Sequence, residues 1–447
     1  MMRRTASHLL VLVLILAALT FASGHRLLVP DDLETWDAPI PPSSSFSDLR
    51  RFVTANGNEL YVGDRPFRFV GFNLFDAAGR PGGYHCAWWG ALSDAELDAA
   101  LGRMRSEAGA TVLRFWAFQS YTKGGTDWSG IDRVVRLAKK HDMRVIPTIE
   151  NGMPHCTEGG PSRTDPSQWY AEAHQRTFRY GYPLSLPDYT ERLVARYRDE
   201  PAILGWMIMN EAETDNVSGL YTFAREMSTL IKRIDPQHLV TLGTQSSGQP
   251  GARGQDFLRL YSLESIDFVS GHDWDYWGDD RNPLPGSPDG QYLPNPATCN
   301  NNRSISCSMA QTLFTLNKPF IVSEAGIKTW PRGIYSSRQR AALLGAKMDA
   351  ALANGVSGYL IWQWSKVVDE GYDILWDDPL LLALRQRAAR LWFGIPIPRP
   401  GAAVAGQRPV RWGRADSSGD DETATSLPSA MRGRGIPASR DMLRDAS

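Results

Sequence analysis

Two glutamates, each closing a short apolar run, have the clearest chemical reading in this chain. Glu211 ends Ile203-Leu-Gly-Trp-Met-Ile-Met-Asn-Glu211, and Glu324 sits in Pro319-Phe-Ile-Val-Ser-Glu324-Ala-Gly. Short apolar runs mark buried parallel strands, and an acid at the C-terminal end of such a strand emerges where barrel enzymes keep their reacting groups. The stretch between the two leaves room for about three strand–helix units. Two carboxylates facing one cleft are the equipment for breaking a glycosidic bond: one protonates the leaving oxygen, the other attacks or activates water. An acid leaving Met-Ile-Met-Asn is costly to place without a use, because ionisable groups are seldom buried unpaired.

The elements that must position these acids alternate along the chain. Apolar or β-branched runs occur at Arg68–Leu74, Thr111–Trp116, Arg144–Ile149, Ile203–Met209, Leu239–Leu242, Phe268–Ser270, Phe320–Ser323 and Gly358–Trp362. Stretches of helical period follow at 93–107, 129–141, 187–199, 217–234, 254–262, 308–317, 336–354 and 379–393. Ser93 with Glu96 three residues later reads as a capping box. Eight strands each followed by a helix predict an α/β fold of the (β/α)8 TIM-barrel type, in preference to an open doubly wound sheet. On that numbering Glu211 ends strand 4 and Glu324 ends strand 7. The long segments after strand 3 (with Trp169 and Tyr170) and after strand 6 (with Trp274, Tyr276, Trp277 and Tyr292) are expected to wall a substrate cleft, since long structured loops are usually functional.

Composition bounds the partner. With 48 basic and 49 acidic residues, net charge is −1, which supplies no attraction for nucleic acid or an anionic membrane. A neutral polymer is compatible with that balance. The 15 Trp include flat faces suited to sugar rings, with about half expected in the core. Arg3 and Arg4, an apolar run from Leu9 to Ala22 and Ser23-Gly24 read as a secretory signal over residues 1–24. The run is shorter than the roughly 20 residues of a spanning helix, and an uncleaved anchor is the alternative. Residues 25–50 read as a linker, 51–398 as a single catalytic domain, and 399–447, poor in large apolar residues, as a disordered tail. Four cysteines fit an oxidising destination. Cys299 and Cys307 are placed to close a local disulfide, leaving Cys86 with Cys156, although three pairings are open. No close Cys or His cluster suggests a metal, and no cofactor is expected.

The strand ends resemble a known group, the retaining glycosidases whose acid/base and nucleophile close strands 4 and 7, and within it glycoside hydrolase family 5 over roughly residues 50–395. The residues behind the resemblance are Leu113-Arg114-Phe-Trp116 on strand 2, Asn210-Glu211 on strand 4, His272 after strand 6, Glu324 on strand 7 and Trp362 on strand 8. The resemblance implies that Glu211 is the general acid/base, with a raised pKa in the resting state, and Glu324 the ionised nucleophile. It implies further that Arg114 holds Glu324 charged, that Asn210 contacts the sugar 2-hydroxyl, that Trp362 floors the reacting subsite, and that His272 touches the acid/base or the substrate.

Two departures stand out. The tyrosine usual two residues after the strand 6 histidine is Trp274 here, with Tyr276 the nearest replacement. Strand 3 reads Pro147-Thr-Ile-Glu150-Asn151 rather than carrying a histidine. Asn151, with Arg114-Phe-Trp116-Ala-Phe118, resembles the β-mannanase branch, and Glu150 is an extra acid without an assigned role. The expectation is a secreted, endo-acting retaining β-glycosidase with a polysaccharide substrate, β-mannan-like by resemblance. An exo-β-mannosidase, a β-glucanase or a transglycosylase on the same barrel, and a silent carbohydrate-binding protein, are the alternatives.

Overall fold

A computed structural model of the chain describes residues 39, 48–157, 160–161, 165–175, 182–274, 293–299, 305–333, 335–368 and 371–397. Each apolar run named above is a strand: β1 (Phe69–Asn73), β2 (Val112–Trp116), β3 (Arg144–Asn151), β4 (Gly205–Asn210), β5 (Leu239–Thr241), β6 (Val269–Trp274), β7 (Phe320–Gly326) and β8 (Gly358–Ile361). Helices follow them in turn: α1 (Asp94–Ala108), α2 (Ser129–Lys140), α3 (Leu186–Tyr197), α4 (Val217–Ile234), α5 (Gln255–Tyr261), α6 (Ile305–Gln311, continued by a π turn over Thr312–Leu316), α7 (Ser337–Ala353) and α8 (Leu380–Phe393). The expected Ser93–Glu96 capping box opens α1, and Ser336 with Gln339 builds a second one on α7.

The strands form one parallel sheet in the order β6-β7-β8-β1-β2-β3-β4-β5. On the remaining side the backbone N–H groups of Asp267 and His272 reach the carbonyls of Val240 and Gln245, at 2.8 Å each, so the sheet curls into a nearly closed (β/α)8 barrel. Every residue of the eight strands except Trp274 is buried, as expected where helices cover the outside and side chains fill the inside. Gly71 permits the close approach of β1 and β2: a Cβ there would lie 2.0 Å from the Val112 carbonyl oxygen.

The lower lumen is hydrocarbon. Phe69, Val112, Ile146, Leu204, Leu239, Phe268, Ile321 and Leu360 meet there, sealed by Val53, Leu60 and Val62 of an N-terminal three-stranded antiparallel unit (Val53–Asn56, Glu59–Val62, Arg65–Pro66). A larger apolar layer lies between the barrel and its helices.

One expectation about the loops changes. Trp169 and Tyr170 do not wall a cleft. They lie on a short helix, Pro166–Ala171, and are buried against Phe223 of α4. Both expected disulfides are formed, Cys86–Cys156 between the loops after β1 and β3, and Cys299–Cys307 tying the segment before α6 to the first turn of that helix. The proposed signal segment and tail, nearly all of the linker, and Tyr276, Trp277 and Tyr292 lie outside the described residues. Among the described residues, no helix is long and apolar enough to cross a membrane.

Candidate active site

Glu324 reaches the barrel mouth through an irregularity in β7. Ile321 belongs to the lumen and Val322 to the helix-facing layer, so strict alternation would carry Glu324 outward with Val322. Opposite β6, however, Gly271 pairs with Val322 while the next residue, His272, pairs with Glu324, and Ser323 is left unopposed. An extra residue of this kind is a β-bulge, a recurrent device for re-aiming a side chain beside a site. Asn73 fixes it: the side-chain amide donates to the Ser323 carbonyl at 2.9 Å.

Arg114 is the hub of the mouth. It is fully buried, and its Nη1 donates to Glu324 Oε1 at 2.5 Å and to Asn73 Oδ1 at 3.0 Å. Its Nη2 donates to Asn210 Oδ1 at 2.7 Å, Nε approaches the Met207 sulfur at 3.2 Å, and the guanidinium lies 4.4 Å over the Trp116 ring. A planar fork with several fixed acceptors orients Glu324 in a way a flexible lysine would not. Asn210 in turn donates to Asn151 Oδ1 at 3.0 Å, and Asn151 is locked through the His155 carbonyl at 2.6 Å.

Glu211 follows β4 with φ +51, a conformation unusual for a residue bearing a Cβ and concentrated at functional positions. Its Oε1 hydrogen-bonds to His272 Nδ1 at 2.7 Å and accepts from Gln245 Nε2 at 3.3 Å. The same His272 nitrogen is 3.4 Å from Glu324 Oε2. One ligating atom from each of Glu211, His272 and Glu324 lies within 4.8 Å of the others. Such a trio could hold a cation, but the Arg114 charge already in contact with Glu324 opposes a second positive charge there.

The electrostatics correct the expected protonation. Burial pushes the Glu211 carboxyl up, yet the hydrogen bond and charge of His272, with Arg114 and Gln245 behind them, outweigh it and leave Glu211 below the usual glutamate range. Glu324 lies above that range: burial raises it, His272 and Arg114 lower it, and the nearby Glu211 charge raises it again. The resting order is therefore the reverse of the one expected: burial is outweighed at Glu211 by its bond to the imidazole, whereas at Glu324 burial beside the Glu211 charge outweighs His272 and Arg114 together.

Aromatic rings line the mouth. Trp116 is buried, 5.8 Å from Trp362, and Trp362 stacks on Phe75 at 5.7 Å. Trp274 lies between Trp362 (6.2 Å) and Tyr372 (4.9 Å). Trp362 is partly exposed, whereas Trp364 is buried against Trp376, so the two tryptophans do not share one packing role. Glu150 is buried and engaged by its own loop: its Oε1 accepts from the Asn151 N–H at 2.7 Å and from the Thr157 hydroxyl at 2.8 Å, and burial pushes it up to about 7.

Sequence reasoning missed several supporting residues. Asn73 and Gln245 touch the site directly, and Asn73 was findable as a polar residue closing the first apolar run. Behind His272, the buried Asp273 accepts from Lys347 of α7 at 2.6 Å and from the Tyr359 hydroxyl at 2.7 Å. No local pattern announces that pairing, since its members are scattered over 87 positions from Asp273 to Tyr359. Tyr372 packs on Trp274 and has no signal in the sequence around it.

The fold and the site together define a (β/α)8 barrel with a facing acid pair on its fourth and seventh strands, Arg114 beneath one acid and His272 between the two. Residues 186–336, which include both acids, match the family described as GH family 5 beta-mannosidase-like. Curated relatives include the probable mannan endo-1,4-beta-mannosidase C of Aspergillus terreus, 26% identical over 51% of this chain and 65% of that protein. Another is the mannan endo-1,4-beta-mannosidase 2 of Oryza sativa, 29% identical over 49% of this chain and 57% of its own length. The chain thus spans less than two thirds of the length of either. Among solved structures, the endo-beta-1,4-mannanase of Thermotoga petrophila superposes with a TM-score of 0.57 at 20% identity, covering 75% of this chain and 79% of that one. The Rhizomucor miehei endo-1,4-beta-mannanase gives 0.55 at 19% identity, covering 77% and 99%. These structural likenesses bear on the fold. Over residues 186–336 the chain is therefore similar to the beta-mannosidase-like members of glycoside hydrolase family 5, and the relatives it matches are named as mannanases.

Proposed function

We propose that this protein is a secreted retaining β-glycoside hydrolase that cuts within a β-mannan-type polysaccharide, with Glu324 as nucleophile and Glu211 as acid/base. The observation that carries the reading is the approach of the two carboxylates: their nearest ligating oxygens lie within 4.8 Å. Retaining enzymes hold the pair about 5–5.5 Å apart, and inverting ones about 6.5–9.5 Å, to admit water. The 2.5 Å contact with Arg114 supports Glu324 as the group held in line for attack.

In the first step Glu324 attacks the anomeric carbon, the glycosidic C–O bond breaks, and the leaving oxygen takes a proton from Glu211. A covalent glycosyl ester forms on Glu324. In the second step Glu211 takes a proton from water, the resulting oxygen attacks the same carbon, and Glu324 is released with its charge. The 2.7 Å bond between Glu211 and His272, which favours the ionised carboxylate, is also a path along which a proton reaches Glu211 for the leaving oxygen. Asn210, held by Arg114 and Asn151, has a second amide hydrogen to offer the sugar 2-hydroxyl, whose axial placement distinguishes mannose. Two disulfides suit an oxidising, extracellular destination.

The test is product release from β-mannan, β-glucan and xylan by the wild-type protein and Glu324→Gln, with the anomer of the first product followed by proton NMR. Mannooligosaccharides of retained configuration, absent in the variant, are expected. Inverted product, or near-normal rates for Glu324→Gln, would sink the assignment.

A further inference from the structure

We propose that Trp88 and Trp89 form a distal sugar-binding platform on the glycone side of the cleft, joined to the acid pair by a continuous run of rings and held by the Cys86–Cys156 disulfide. This inference rests on the hydrolase reading above and adds where the far end of the substrate lies.

The run starts at Trp362, which stacks on Phe75 with ring planes 15° apart and centroids 5.7 Å apart. Phe75 meets Trp89 at 5.9 Å, and Trp89 meets Trp88 at 5.9 Å. Trp362, Phe75 and Trp89 are half-buried, and Trp88 ends the run with 62% of its surface in solvent. A single exposed apolar side chain needs no explanation, but Trp88 is contiguous with Trp89, Phe75 and Trp362, and contiguous exposed apolar surface marks an interaction site. Indole faces complement the C–H faces of sugar rings, and their amphipathic edges tolerate water between contacts.

The direction follows from the topology. In the strand order, β8 and β1 lie across the barrel from β4 and β5. Glu211, after β4, is the group that protonates the leaving oxygen, so the departing part of the substrate lies on that side. The retained glycone then lies toward Trp362 of the β8 end and Phe75 after β1, and further units continue onto Trp89 and Trp88.

The platform is fixed from beneath. The Cys86 N–H donates to Asp76 Oδ1 at 2.7 Å, Tyr121 donates its hydroxyl to the same oxygen at 2.9 Å, and Ala87 is buried. Cys86 is bonded to Cys156, which ties the loop carrying the two tryptophans to the loop after β3. A preordered binding loop loses less entropy on association. Trp330, 77% exposed on the loop after β7, stands outside this run of ring contacts among the described residues and serves as a control.

The test compares kcat/KM for β-1,4-mannohexaose with kcat/KM for an aryl β-mannobioside, as a ratio within each variant. Trp88→Ala should lower that ratio by roughly tenfold, through KM, given the strength of single aromatic contacts. The Cys86→Ser/Cys156→Ser double variant should move the ratio in the same direction by less, and Trp330→Ala should keep it at the wild-type value. An unchanged ratio in Trp88→Ala, beside a Glu324→Gln variant that is inactive, overturns the platform and leaves the hydrolase reading standing. If wild type cleaves neither substrate, calorimetry of Glu324→Gln with mannohexaose and cellohexaose decides. Binding weakened by the added Trp88→Ala supports the platform, and binding of neither hexaose overturns it.

Discussion

The two ends of the barrel use the same strands in opposite ways. Low in the lumen the strands present Phe69 on β1, Val112 on β2, Phe268 just before β6 and Leu360 on β8. Higher on those four strands, or just past their ends, stand Asn73, Arg114, His272 and Trp362. The lower layer is held by hydrocarbon burial and closed by an antiparallel cap. The upper layer is held by directional contacts converging on Arg114. Cohesion and chemistry are thus separated along the strand axis, which lets polar groups crowd the mouth without asking the mouth to hold the barrel together.

That separation can be broken or sharpened by substitution. The largest effect is expected from Glu324→Gln, with turnover down by several orders of magnitude and the far-UV circular dichroism of the wild type retained. A comparable loss of thermal stability would mean the upper layer also carries the fold. The mirror experiment is Leu360→Ala in the lower layer, expected to cost about 2–5 kcal/mol in urea unfolding while kcat stays within a few-fold. A collapse of kcat with full stability would erase the distinction.

Glu150 gives the next effect. Its carboxyl is raised to about 7 by burial, so the protonated form is the one the fold prefers. The stability linked to it is complete below the unfolded glutamate pKa and is lost as pH rises through about 7, on the order of 3 kcal/mol. Glu150→Gln should therefore flatten the fall in urea midpoint between pH 4.5 and 8. Equal slopes in both proteins would remove Glu150 as the cause. The smallest effect is a displacement of the pH–rate profile in His272→Asn. His272 lowers both Glu211 and Glu324, so its loss should move both limbs of kcat/KM to higher pH. A shift to lower pH would contradict the electrostatic account.

The barrel itself was legible because its signals are local. An apolar run such as Phe320–Ser323 and a capped helix such as that after Ser93 each declare themselves within a few residues. The two acids were legible for a related reason: a charge closing a buried strand is conspicuous. What the sequence hides is pairing. Lys347 gives no hint that it neutralises Asp273, and Trp169 gives none that it will be swallowed by α4 rather than line a cleft. The protonation order was hidden too, because a 2.7 Å contact between His272 and Glu211 depends on loop geometry far from either residue's neighbours.

Ser323 also has a bearing on engineering. It sets the phase of β7, and phase is invisible in an alignment. A segment grafted here from another barrel with one residue fewer would still show its glutamate in the right column, yet would deliver the carboxylate into the wall between sheet and helices. Exchanges of the β7 loop should therefore be cut after Gly326, so that the recipient keeps its own count.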